Sequence, residues 1–216
     1  MAGHPGLDRP AVVFEIDGAR RRFWADPERH RRGRLDLSAA RARILGAALE
    51  RLGRPDPALA LEAGRAYTEL RERHQRLLPG ARGALERLRR LVPALALVTN
   101  GAAGAQRAKL ERFDLERHFD HIQIEGEFGR GKPEPEVYRH VLARLGVRAA
   151  DCMMAGDNFE ADVLGAQAVG IHAVWMDVRA RGAPPQPAPR PHWTVRSLEE
   201  LSRRLAPGPR GSERDG

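Results

Sequence analysis

From about residue 78 onward the chain alternates two kinds of segment, a short apolar run and a stretch with helical periodicity. The apolar runs are ALALVT (94–99), HIQI (121–124), CMMA (152–155), IHAVWM (171–176) and HWTV (192–195). Before, between and after them lie helical patterns at 80–91, 103–113, 134–146, 159–170 and 197–205. Strands this short and apolar, each followed by a helix, predict a Rossmann-like α/β fold in which a parallel sheet is covered by helices on both faces. Ligands bind such sheets beyond the carboxyl ends of the strands. The functional residues are therefore to be sought at those ends.

The part before residue 78 breaks the alternation. AVVFEI (11–16) reads as a first buried strand, so that Glu15 and Asp17, two apart, face one side just past its end. The segment 18–34 follows, with seven arginines interrupted by Phe23 and Trp24, and reads as a solvated loop bordering a phosphate-binding cleft. Two amphipathic helices are expected at 36–53, capped by Asp36 or Ser38, and at 57–77. Inserted after a first strand, they look like a cap. The expected organisation is an α/β core from residues 1–18 and 79–205, a small α-helical cap over 19–78 and a flexible tail at 206–216. The proline-rich stretch 181–192 reads as a loop, and there is no internal repeat.

Composition narrows the function classes. A chain of 216 residues with 42% hydrophobic content is sufficient for a globular core. No apolar run is long enough to span a membrane, and MAGHPGLDRP lacks the apolar centre of a signal peptide, so a cytoplasmic location is expected. The lone Cys152 excludes an internal disulfide framework. The net charge of +8 invites a nucleic-acid reading, yet no helix-turn-helix, zinc-ligand or RNA-binding signature accompanies it, and nucleic acid is not the expected partner. Oligomeric state is not legible.

Four stretches fall where strands end or helices begin: VVFEIDG, LVTNG, GKPEP and AGDNFEAD. In this order they resemble the haloacid dehalogenase-like (HAD) hydrolase superfamily, in its phosphatase-type branch with a helical cap. The resemblance extends over most of the chain, through FGRGKPEPEVY, GAQAVGIHAVWMD and TVRSLEEL. It implies Glu15 at the position of the attacking aspartate and Asp17 as acid and base. Thr99 would bond a phosphoryl oxygen, helped by the amides near Asn100 and Gly101, and Lys132 would neutralise the nucleophile and the transferring group. Mg²⁺ would be held by Glu15, by the backbone carbonyl of Asp17 and by Asp157, with Asp162 supporting Lys132 or a metal-bound water. Only Lys109 and Lys132 are lysines in an arginine-rich chain, which makes a lysine at GKPEP informative.

The sequence departs from the family pattern at Glu15 and again at Ala19, where threonine or valine is usual. An extra methylene moves the carboxylate by up to roughly 1.5 Å, and a displacement near 1 Å costs on the order of a hundredfold in rate. The expectation is a slow Mg²⁺-dependent phosphatase of a small phosphorylated metabolite. Asp17 favours phosphate over haloacid chemistry, since members that displace halide need no acid for a leaving oxygen. The alternative is a catalytically inactive member that binds a phosphorylated ligand or a protein partner.

Overall fold

The computed structural model describes residues 8–180, 182 and 189–207. The chain divides between Arg76 and Leu77 into a helical unit and an α/β unit. Much of the proline-rich stretch 181–192 and nearly all of the tail expected at 206–216 lie outside the described residues.

The helical unit contains α1 (Arg9–Ala25), α2 (Pro27–Leu35), α3 (Leu37–Arg51) and α4 (Pro57–Arg73). The strand expected at 11–16 is part of α1, and this is a correction. Asp8 caps the helix by accepting from the Ala11 amide at 3.2 Å, and a proline lies in its first turn. Its inner face runs through Ile16, Ala19 and Phe23, at helical spacing, and packs on Ala40, Ile44 and Ala48 of α3. A period of 3.6 that continues beyond Gly18 is hidden in a heptapeptide whose first residues mimic a strand. Because the helix runs on past residue 18, the described part of the expected core segment 1–18, residues 8–18, is continuous with the helical unit. The basic stretch 18–34 is likewise the end of α1 and the whole of α2, not a loop.

The later helices match their signals. Asp36 and Asp56 cap α3 and α4, each accepting from an amide three residues on at 2.9 Å. The two helices approach most closely at Gly64, where a Cβ would lie 2.8 Å from the Ala42 amide nitrogen.

The α/β unit contains α5 (Ala81–Leu91), β1 (Ala96–Thr99), α6 (Ala103–Arg112), β2 (His121–Ile124), the short α7 (Glu125–Phe128), α8 (Pro135–Leu145), β3 (Met153–Gly156), a π-helical turn (Phe159–Leu164), α9 (Gly165–Gln167), β4 (His172–Met176), β5 (Trp193–Val195) and α10 (Leu198–Leu205). All strand pairs are parallel, as expected of the α/β class. They form two sheets, β1–β2 and β3–β4–β5, rather than one.

Side chains on β4 alternate between faces. Ala173 and Trp175 enter one cluster with Val137, Tyr138 and Val163, while Val174 enters another with Val195 and Leu201. Val98 of β1 and Met154 of β3 both pack against the first cluster, so one apolar layer serves both sheets.

Gly64→Val places a branched side chain against the α3 backbone and should destabilise the protein by about 1–3 kcal/mol, read as a lower urea midpoint. Gly104→Ala, at a helical position with open space around the new methyl, should instead raise the midpoint slightly.

Candidate functional site at the strand ends

Lys132 is the centre of the site. The residue is 8% exposed, and its ammonium donates to Asp162 Oδ1 at 2.6 Å and to the Val98 carbonyl at 2.8 Å. The first bond reaches the turn after β3 and the second reaches β1, so a single cation links the carboxyl ends of both sheets. Burying an ammonium is costly unless it is paired and hydrogen-bonded, and here both conditions hold.

Asp162 is held from its other side. Its Oδ2 accepts from the Asn158 amide at 2.9 Å, and Asn158 Oδ1 in turn accepts from the Ala161 amide at 2.9 Å. The carboxylate lies on Gly156, where an added Cβ would sit 2.1 Å from Oδ2. Only a glycine at the last position of β3 admits this. The π-helical turn carries Asp162 inward; such turns recur at functional sites. It is tied at its centre by the Tyr138 hydroxyl, which donates to the Ala161 carbonyl. Burial, with the Asp162 charge beside it, raises the Tyr138 phenol well above its ordinary value, so it remains a neutral donor.

The Asn100 side chain has a task beyond the backbone role expected of it. Its Nδ2 donates to the Lys132 carbonyl at 2.7 Å and its Oδ1 accepts from the Lys132 amide at 2.8 Å. The side chain thus clamps the Lys132 backbone. The Gly101 amide, expected to face an anion, donates to Glu125 Oε2 at 2.9 Å. Thr99 lies at the end of β1, half-buried, with its hydroxyl 3.3 Å from the Asn100 carbonyl. Asp157 stands exposed one residue past β3.

Thr99, Asn100, Gly101, Lys132, Asp157 and Asp162 therefore belong to the strand ends of the α/β unit. Glu15 and Asp17 do not form the expected carboxylate pair. Two residues apart on a helix they point about 200° from each other, whereas on a strand they would share a side. Each is also engaged by arginine. Glu15 Oε2 accepts from Arg51 Nε at 2.7 Å, and Asp17 is bonded by Arg20 and Arg21. The hydrogen bond from Arg20, with the charge of Arg21 nearby, holds the Asp17 carboxyl below its ordinary value. The Asp17 carbonyl lies mid-helix, committed to the helical ladder.

The donors do not fit the expected magnesium site. Of its three ligands only Asp157 is at a strand end, and both oxygens of Asp162 are engaged. Among the described residues no group of three or more His, Cys, Asp or Glu side chains is arranged to hold a metal ion.

Sequence reasoning missed Glu125, buried to 4% exposure, and Asn158. An acid directly after the apolar run HIQI was the available signal for Glu125. Asn158, two residues past a strand and three before Ala161, carries the spacing of a cap.

A family model for haloacid dehalogenase-like hydrolases matches residues 9–170. The phosphoserine phosphatase of Thermus thermophilus is 40% identical over 161 residues, covering 74% of this chain and 63% of that protein. The N-acylneuraminate-9-phosphatase of Rattus norvegicus is 36% identical over 144 residues, covering 66% and 57%. The chain thus spans about three fifths of the length of these curated relatives. The magnesium-bound crystal structure of the HAD-hydrolase YfnB from Bacillus subtilis superposes with a TM-score of 0.72 at 25% identity, covering 93% of this chain and 84% of that one.

Asp162→Ala leaves the Lys132 ammonium buried without its anion and should cost ~3–5 kcal/mol. Gly156→Ala should mimic it in direction by expelling the carboxylate. Urea unfolding followed by circular dichroism, with Arg148→Ala on an exposed pair as the control shifting by less than about 1 kcal/mol, checks both.

Proposed function

Because the chain belongs to the haloacid dehalogenase-like hydrolases, we propose that it acts as a phosphomonoesterase on a small phosphorylated metabolite, with Lys132 and Thr99 handling the phosphoryl group. The observation that carries this reading is the buried lysine at the strand ends. An ammonium has three N–H donors. Two go to Asp162 and Val98, which leaves the third for a phosphoryl oxygen. The Asp162 carboxylate fixes the ammonium in place, so little reorganisation accompanies the build-up of charge in the transition state. The Thr99 hydroxyl at the neighbouring strand end supplies a second donor that can rotate toward the same group.

The relatives' names support phosphate esters as the substrate class. Phosphoserine, N-acylneuraminate 9-phosphate and glyceraldehyde 3-phosphate, taken from those names, form the natural first panel. No step is assigned to Glu15 or Asp17, whose carboxylates are held by arginines in the helical unit. Magnesium is bound in the YfnB structure. Since the carboxylates described here do not compose a site for it, no step is drawn through the ion. A slow rate was expected because Glu15 would attack in place of an aspartate; that reason lapses with Glu15's helical position.

A second reading is favoured by the same engagement of Glu15 and Asp17: the protein binds a phosphorylated ligand at Lys132 and Thr99 without turning it over. Phosphate release from the panel, together with binding of inorganic phosphate, separates the two.

Lys132→Met should lower kcat/KM by about 10²–10³-fold. Glu15→Gln and Asp17→Asn, which remove only ion pairs with exposed arginines, should stay within about fivefold of wild type. Loss of all activity in Glu15→Gln would restore it as the nucleophile and sink this assignment. Phosphate binding that depends on Lys132, with no ester hydrolysed, would select the second reading.

A further inference from the structure

The buried carboxylate of Glu125 has no part in the chemistry above, yet it sits two steps from Lys132. It is the first residue of α7, directly after β2, and its Oε2 accepts the Gly101 amide at 2.9 Å. The Gly101 carbonyl accepts from the Gly126 amide at 3.0 Å, so residues 125 and 126 grip both sides of the Gly101 backbone. Gly101 has φ of 119°, a conformation that side chains rarely adopt. Gly126 packs directly on the start of α6, where a Cβ would lie 2.4 Å from the Ala103 amide nitrogen, so only glycine allows this close approach. The next residue back is Asn100, which brackets the amide and carbonyl of Lys132. Its own carbonyl accepts from Gln106 Nε2 at 2.9 Å.

We propose that Glu125 is a positioning residue: through the Gly101 amide it fixes Asn100, and through Asn100 it fixes the backbone from which the Lys132 ammonium reaches the strand ends. A charged acceptor gives a shorter and stronger bond to an amide than a neutral one. In this position it does a second thing. The Gly101 amide is withheld from an incoming anion. The proposal rests on the reading of Lys132 as the phosphoryl-handling cation.

The test uses the full chain and the variants Glu125→Gln, Glu125→Ala, Asn100→Ala and the double alanine. In ¹⁵N-correlated spectra, Glu125→Ala should shift the amide resonances of both Gly101 and Lys132, and Glu125→Gln, whose remaining oxygen can accept the same bond, should return both toward wild type. In ester hydrolysis, Glu125→Ala and Asn100→Ala should each lower kcat by about tenfold to a hundredfold. The double variant should be no slower than either, because one path is cut once. A shift at Gly101 with Lys132 unmoved would overturn the proposal, as would kcat unchanged in a folded Glu125→Ala protein. Multiplied losses in the double variant would overturn it too. Wild type that hydrolyses nothing would count against the phosphatase reading only, since the spectra still decide the path from Glu125 to Lys132. If Glu125→Ala fails to fold, Asn100→Ala and Glu125→Gln carry the comparison: Lys132 must move in the first and stay in the second.

Discussion

A buried ion pair links the two sheets of the α/β unit. The Lys132 ammonium lies 2.6 Å from Asp162 and 2.8 Å from the Val98 carbonyl, and no strand pairing among the described residues connects β1–β2 with β3–β4–β5. Apolar packing against the shared cluster holds the sheets together without direction. The ion pair adds direction, because hydrogen bonds to a buried charge fail steeply when geometry slips. Much of the local sequence serves this pair: Gly156 makes room for the carboxylate, Asn158 holds its second oxygen, the π-helical turn brings it inward, and Asn100 sets the lysine backbone. Stability and the proposed chemistry thus depend on the same two side chains.

In the helical unit the charges are arranged differently. Many of its carboxylates cap helices or pair with arginines, as Asp17 does with Arg20 and Arg21 and Glu28 with Arg31 and Arg32. Most of these pairs are exposed, and each contributes little to stability. Their effect is on chemistry. A carboxylate with a guanidinium on it is a weaker nucleophile and a weaker base, so acids that look catalytic in the sequence are quiet in the structure. The same pairing uses part of the positive charge that invited a nucleic-acid reading.

The α/β unit was largely legible before any coordinates. Strands lie within a residue or two of the apolar runs expected at 94–99, 121–124, 152–155, 171–176 and 192–195, and Lys132 and Asp162 meet as anticipated. The reason is that these segments are short, apolar and bounded by turns, so length and composition suffice to identify them. VVFEIDG misled because its seven residues fit either period. The deciding residues, Asp8 before it and Ala19 and Phe23 after it, lie outside the window. The Gly101 amide, expected to face phosphate, is taken by Glu125, and the Asn100 side chain has a partner, Lys132, that its spacing did not announce. A polar group at a strand end can serve a ligand or a neighbouring loop, and spacing does not distinguish these.

The sequence by itself determined the family, the order of strands and helices after residue 78, and the identity of the cation at the strand ends, since each depends on local pattern or on a rare residue. Only the tertiary structure decided that residues 9–25 are one helix, that Glu15 and Asp17 answer to arginines, and that Glu125 occupies the amide once assigned to phosphate. Those outcomes turn on which group reaches a given donor or acceptor first. Glu15 meets Arg51 from 36 residues away and Glu125 meets Gly101 from 24, so no short window holds both groups, while Asp17 meets its neighbours Arg20 and Arg21 only because the helix sets them on one face.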